Sequence, residues 1–190
     1  MKVTLSKEEM LRRRRLLGGL EPLRHDCTIE QSDGIDVDAL LEAQLRAWYL
    51  NLLDTAPAEL LAPDNISATV TAVAADGGGV KLTMPAMCRR VFDVQLKGWQ
   101  RAVKVLPASE CERVAALQQN PYTAATAMRP VAVLMPGATG GKAAAVLAFP
   151  APGVASPQVA LATAVLDQGE SIYSFDESAL ATMPRGNPIF

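Results

Sequence analysis

The side chains best suited to acid–base or nucleophilic chemistry stand together at His25, Asp26 and Cys27. A cysteine activated by a histidine is a pair that nucleophilic catalysis uses. Adjacent side chains point in different directions, however, so each of these residues would need a distant partner. Because the chain has a single histidine, any histidine-dependent scheme must use His25. Its position in a polar connection between two predicted helices instead indicates an exposed loop histidine.

A glycine-rich segment, residues 137–142, has the composition of a phosphate-binding loop but not its spacing. Such a loop places four residues between its first glycine and a Gly-Lys pair, and then a Ser or Thr that holds magnesium. Here three residues intervene, and Ala143 follows the lysine. The next residues have the pattern of a strand rather than of a helix whose N-terminus could receive phosphate. The segment therefore predicts a hairpin turn.

The acidic residues Asp33, Asp36 and Asp38 have calcium-like composition. Their glycine, Gly34, precedes the alternating acids, and the bidentate glutamate of a hand-type calcium loop is missing at the required offset. Carboxylates near a helix N-terminus are stabilising, so capping of the following helix explains the same residues.

The cysteines are three in number, widely spaced and without a C-x-x-C pair. This spacing predicts neither a structural zinc site nor a disulfide framework, and it is typical of a reducing compartment. The first residues contain no apolar signal-peptide core, and no run of apolar residues is long enough to span a bilayer. We expect a cytoplasmic protein with no membrane partner, which is not an enzyme and has no catalytic, cofactor-binding or metal-binding residues.

Near the end of the first predicted helix stand four consecutive arginines: Arg12, Arg13, Arg14 and Arg15. Consecutive residues cover every side of a helix, so the four cannot all face one partner. Cations near the C-terminal end of a helix complement the helix dipole, and we expect the four arginine side chains to be exposed to solvent. Contact with nucleic acid or with an acidic protein surface is the alternative. The net charge of −2 supplies no long-range field toward nucleic acid.

The elements that must position these residues begin with two helices. Ser6 and Glu9 have the spacing of a capping box, which predicts a helix beginning there. A second helix starts near Asp36 or Asp38 and ends before Pro57, since the residue ahead of a proline avoids helical geometry. This second helix is apolar on more than one face, which predicts burial by a sheet, by another helix or by another subunit.

From Ile66 the hydrophobic period changes to two, which predicts strands. The segment Arg89–Lys97 has the cleanest alternation, with Phe92, Val94 and Leu96 predicted on one face. The other predicted strands cover residues 69–73, 80–84, 101–106, 131–135, 143–149, 161–166 and 171–175. We expect the last two of these to pair with each other.

One short helix interrupts the strands, where Ser109 and Glu112 have the spacing of a second capping box. Helices followed by a mostly antiparallel β-sheet region with one short inserted helix predict an α+β fold. We expect a helical region over residues 1–65, a β-rich region over 66–182 and a C-terminal tail over 183–190, together in one compact domain.

The middle third of the chain has a familiar layout. The segment Leu82–Pro85 is followed by the alternating strand Arg89–Leu96 and then by Gly98 and Trp99. This order resembles the strand-rich region of head–tail adaptor and neck (connector) proteins of tailed bacteriophages, and residues 36–54 fit the helical region that accompanies it. The resemblance implies a phage or prophage subunit that forms a ring on the portal or on other neck proteins. Such a subunit is cytoplasmic during assembly and later part of the virion.

General features of the sequence also favour an assembly subunit. Its apolar residues are largely small, and few are aromatic, which suits a subunit completed by its neighbours. Aromatic residues dominate interface energetics, so Trp48, Trp99 and Tyr122 are candidate interface residues together with the four arginines. An exposed strand edge, or the tail at residues 183–190, could add to the sheet of a neighbouring copy. The sequence thus predicts a non-catalytic structural or assembly protein that forms homo-oligomers. The alternative is a small-ligand or nucleic-acid binding module.

Overall fold

The computed structural model describes residues 1–18, 37–137, 145–153 and 156–184. The chain divides into two compact units. The terminal unit is built from Met1–Ala62 and Gln168–Phe190, and the central unit from Pro63–Asp167. Helices and mostly antiparallel strands are mixed in the structure, which confirms the predicted α+β class.

In the residues described for it, the terminal unit has three α-helices, α1 (Lys7–Gly18), α2 (Val37–Thr55) and α3 (Ala58–Leu61), and a 3-10 helix over Glu177–Thr182. One half of the predicted capping box is present, since the Ser6 hydroxyl accepts a hydrogen bond from the Glu9 amide at 3.2 Å. The second helix ends two residues before the proline at position 57, as the sequence predicts. Local sequence signals therefore set the observed helix boundaries at these two places.

The terminal unit also contains a two-stranded ribbon. Strand β1 (Lys2–Ser6) pairs antiparallel with strand β10 (Ile172–Asp176), with Lys2 opposite Asp176. The prediction that the last two strands pair with each other is therefore wrong, and β1 was not predicted at all. Strand β1 has five residues, which is too short for a clear alternation of apolar and polar side chains. Its partner strand lies at the other end of the sequence.

Helix α2 is covered inside the terminal unit. Its buried residues are Leu41, Leu45, Tyr49, Leu52 and Leu53. The helix packs against α1, and Tyr49 meets the ring of Tyr173 on β10 edge-on at 5.0 Å. The sequence predicted burial of this apolar helix by a sheet, by another helix or by another subunit. The structure shows burial by another helix and by a ribbon of strands.

The central unit is an eight-stranded sheet with the order β2-β9-β5-β6-β7-β8-β4-β3. Its strands are β2 (Asp64–Asn65), β3 (Thr71–Ala75), β4 (Gly79–Thr83), β5 (Cys88–Leu96), β6 (Val103–Leu106), β7 (Val131–Leu134), β8 (Ala145–Phe149) and β9 (Val159–Leu166). Neighbouring strands are antiparallel except for the parallel pair β6 and β7. The predicted hairpin of β7 and β8 is confirmed, while residues 138–144 of its turn lie outside the described part of the chain.

The sheet curls around one apolar core. Val80 of β4 and Val94 of β5, from strands that are not neighbours in the sheet order, are fully buried in the same cluster. On the other face, Val114 of the short helix α4 (Cys111–Leu117) packs with Val133. Small side chains fill much of the inner core, as the composition predicts.

Strand β5 departs from the predicted alternation. Its pairing with β9 has register irregularities, one of them between Val91 and Asp93. Because an extra residue in one strand turns the following side chains to the other face, Val91 is buried and Phe92 is only half-buried. The prediction that Phe92 shares a face with Val94 and Leu96 is wrong, although the latter two are buried as expected.

The short inserted helix is confirmed, but its predicted cap is not. A 3-10 turn over Ala108–Glu110 leads into α4, whose N-cap is Glu110. No side chain caps this helix start. The 3-10 turn shifts the first α-helical residue beyond Ser109, so the spacing of Ser109 and Glu112 no longer matches a capping box.

Candidate functional site

The residues first considered for chemistry do not form a site in the described structure. His25, Cys27 and the acidic residues at 33–36 lie outside the described residues, as do residues 138–142 of the glycine-rich segment. Among the residues that the structure describes, no group of three or more His, Cys, Asp or Glu side chains could hold a metal ion.

The four consecutive arginines have unlike surroundings. Arg12 is exposed, and Arg13 and Arg15 are partly exposed. Arg13 pairs with Glu9 one turn earlier at 3.4 Å, and Arg15 pairs with Asp38 of α2. Exposed ion pairs of this kind contribute little stability.

Arg14 is buried, with 1% of its surface exposed. Its guanidinium donates a hydrogen bond to the Gln44 side-chain oxygen at 3.4 Å, and burial lowers the pKa of this group. Because α1 packs against α2, one of four consecutive residues must face inward. The expectation of a solvated face is therefore wrong for Arg14.

Trp48 is half-buried within the terminal unit. Its ring meets Phe175 edge-on with 5.7 Å between centroids, and its indole nitrogen donates to the Thr182 hydroxyl at 3.3 Å. Both contacts anchor α2 to the end of the chain, so Trp48 has a structural role in addition to any role in an interface.

Trp99 is buried in the central unit, with 5% of its surface exposed. Its indole nitrogen donates to the Pro150 carbonyl at 3.0 Å. The side chain packs with the inner core of the sheet and lines a cavity of about 680 Å³. Trp99 is thus available to a molecule that enters this cavity rather than to a flat partner surface.

Tyr122 differs from the two tryptophans, because 97% of its surface is exposed. The loop that carries it is held by hydrogen bonds. The Tyr122 amide donates to the Asn120 side chain at 2.9 Å, and the Thr123 hydroxyl donates to the Leu117 carbonyl at 2.8 Å. A fixed loop that presents an aromatic side chain lowers the entropy cost of binding a partner.

An exposed strand edge was expected from the sequence only in general terms, without assignment to β3. Strand β3 lies at one edge of the eight-stranded sheet, and the strand at the other edge, β2, has two residues. The β3 sequence, Thr-Ala-Val-Ala-Ala, contains no charged residue and no proline, and Val73 is 56% exposed. Soluble proteins usually protect an edge strand with a charge, a proline or a bulge. The signal in the sequence was a short segment with no charged residue and no proline.

The shifted pKa values have structural causes. Burial raises the pKa of the Cys88 thiol to about 11, which is the opposite of an activated nucleophile. The N-terminal ammonium and Ser178 hold the pKa of Asp176 far below its usual range. A hydrogen bond with Glu42 raises the pKa of Lys7. These groups stabilise local contacts, and none of them lines the cavity beside Trp99.

The chain matches no known protein-family model, and neither the curated proteins nor the solved structures include one that is detectably similar to it. None of the helices in the described part of the chain is both long and apolar enough to cross a bilayer.

Proposed function

We propose that this chain is a non-catalytic assembly subunit that joins copies of itself through the edge strand β3. The observation that carries the proposal is the unprotected edge, where a five-residue strand without charge or proline leaves Val73 more than half exposed. An edge strand has unpaired backbone N–H and C=O groups, and these can pair with a strand of a second chain.

In the assembly, β3 pairs with a strand of the next copy. Val73 lies opposite Lys81 of β4, so the nearest cation of the sheet on that face is one strand inward from the edge. An approaching strand would meet Thr71, Val73 and Ala75 before it met this charge. When one patch meets a different patch on the next copy, repetition of the contact closes a ring if the rotation allows it.

Tyr122 is the second contact in this proposal. A nearly fully exposed tyrosine on a hydrogen-bonded loop is the kind of residue that dominates interface energies. Met128, further along the same connection between α4 and β7, is 73% exposed and adds a flexible apolar side chain that adapts to a partner.

In this proposal the ring is the neck of a tailed-phage particle, a head–tail adaptor that docks on the portal protein. That part rests on the resemblance of residues 82–99 to neck proteins. The terminal unit, with its packed helices, would then supply rigid surfaces for the larger partner.

The mass of the purified protein tests the proposal. We expect light scattering coupled to size exclusion to give a multiple of the 20.2 kDa chain mass. Val73→Lys places a charge on the edge and should reduce the mass to that of a monomer. Val73→Thr is the matched control, because threonine keeps the branched shape without charge and should leave the oligomer intact.

Two results would count against the assembly role. One is a wild-type protein that stays monomeric at high concentration, both alone and with a portal protein. The other is an oligomer whose mass is the same in the Val73→Lys variant as in the wild type, since β3 would then take no part in the contact. Tyr122→Ala should weaken the same oligomer, and its dissociation on dilution measures by how much.

A further inference from the structure

A cavity in the central unit, separate from the β3 edge, has the size of a small-molecule site. Its volume is about 680 Å³, and pockets of about 300–1,000 Å³ hold small ligands in other proteins. We infer that this cavity binds a small organic anion with a flat apolar body and one carboxylate. The inference does not depend on the assembly role.

The walls of the cavity are largely apolar. The Trp99 indole, Ala127 and the segment Pro150–Pro152 all line it. Trp99 is otherwise buried, so its remaining exposed surface is available to a ligand in the cavity. An aromatic ring that enters would gain from the removal of apolar surface from water and from contact with the indole.

One charge among the described lining residues sets the sign of the ligand. Lys97 is the charged residue of that lining, and no carboxylate lines the cavity there. The Lys97 ammonium donates to the Gln158 side-chain oxygen at 2.6 Å. An ammonium has three donors, so this bond leaves capacity for an anion. Gln158 and Ser156 add neutral polar groups beside it.

The cavity walls are tied together before any ligand arrives. The Lys97 amide donates to the Gln158 carbonyl at 2.9 Å, and the Trp99 indole donates to the Pro150 carbonyl at 3.0 Å. The Gln100 amide donates to the Ala127 carbonyl at 2.9 Å. These bonds join the chain segments that form the walls. A preformed site binds with a smaller entropy cost than one that must be ordered by its ligand.

Titration with naphthylacetate, followed by proton–nitrogen NMR, tests the inference. The chain has two tryptophans, and their indole N–H groups report on different places. We expect the Trp99 indole signal to shift and saturate, while the Trp48 signal in the terminal unit stays in place. Naphthylacetamide has the same shape without the charge, and it should bind more weakly.

Substitution of the lysine separates charge recognition from general apolar binding. Lys97→Gln should weaken naphthylacetate binding about threefold, as expected for an exposed ion pair, and should leave the affinity for naphthylacetamide unchanged. Lys81→Gln, at an exposed lysine of β4 outside the cavity, is the matched control and should change neither affinity. Ala127→Phe should fill part of the cavity and reduce binding of both compounds, with well-dispersed amide signals from the strands of the central unit as evidence that this unit is folded.

Three outcomes would overturn the inference. The Trp99 and Trp48 signals could shift together without saturation, which indicates binding all over the surface. The acid and the amide could bind equally well. Finally, the Lys97→Gln and Lys81→Gln variants could have the same affinity for the acid, and the lysine in the cavity would then have no role in recognising it.

Discussion

Tyr49→Phe removes one hydroxyl that serves two backbone groups of the ribbon. The Tyr49 hydroxyl donates to the Ser174 carbonyl at 3.3 Å and accepts from the Ser174 amide at 3.2 Å. Tyr49 is fully buried, and Ser174 is 9% exposed. In the variant both backbone groups of Ser174 would lose this partner in a place that water reaches poorly.

The expected loss follows from these contacts. A buried polar group without a partner costs about 1–3 kcal/mol, and because both bonds are long we expect a total of about 2 kcal/mol. For a chain of this size such a loss lowers Tm by roughly 4–8 °C. The ring itself stays, so its edge contact with Tyr173 and its tilted contact with Phe175 are kept.

Thermal unfolding followed by near-ultraviolet circular dichroism measures this change. Tyr122→Phe is the matched control, because it removes the same hydroxyl from a side chain that is 97% exposed, and it should not change Tm. If Tyr49→Phe unfolded at the wild-type temperature, the Tyr49 hydroxyl would not be the hydrogen-bond partner on which the Ser174 backbone groups depend, and the reasoning would be refuted.

Three further predictions concern other residues. A Cβ at Gly79 would lie 2.7 Å from the Phe149 ring, so Gly79→Ala should lower the free energy of unfolding by about 1–3 kcal/mol in a denaturant titration. The control is Gly153→Ala, whose Cβ would meet nothing within 4 Å and which should leave the free energy of unfolding unchanged. Equal losses of stability in the two variants would contradict the steric argument. Since burial raises the pKa of Cys88 to about 11, we expect pulsed alkylation with mass-spectrometric mapping to label it only after unfolding, and rapid labelling of the native protein would contradict its burial. The folded pKa of Asp176 lies below the ordinary value of 3.8, so its charge stabilises the fold above that pH, and this contribution is lost as the pH falls toward the folded pKa. Asp176→Asn should therefore lower Tm near neutral pH, and the difference from wild type should narrow in acid; a difference that stayed constant with pH would exclude a role for the charge.

Local signals in the sequence predicted the elements that depend on neighbouring residues. The capping contact of Ser6 with Glu9 and the end of α2 before Pro57 involve residues a few positions apart. In the turn between β3 and β4, Gly77 and Gly78 adopt positive φ angles of 77° and 75°, which glycine reaches without steric cost.

The features that sequence analysis missed depend on distant parts of the chain. The pairing of β1 with β10 joins residues from opposite ends, and alternation alone does not identify a strand's partner. Phe92 was assigned to the wrong face because a bulge in β5 is not visible in a period of two. Arg14 was expected in solvent, because a run of four arginines does not indicate which of them faces α2.

The candidate interface residues were recognised by type and not by exposure. Aromatic character selected Trp48, Trp99 and Tyr122 alike, whereas burial separates the exposed tyrosine from the two tryptophans. The cavity beside Trp99 could not be predicted, because its described walls come from parts of the chain near residues 98, 127 and 150–158 that only the folded sheet brings together.

The ribbon of β1 and β10 has a consequence for synthesis on the ribosome. The central unit is one continuous stretch and can complete its sheet as soon as that stretch has left the exit tunnel. The terminal unit must wait, because β1 emerges first and its partner strand is translated after the whole central unit. During that interval β1 and the apolar side of α2 lack their final cover, so this half of the nascent protein is the part that a chaperone would have most reason to hold.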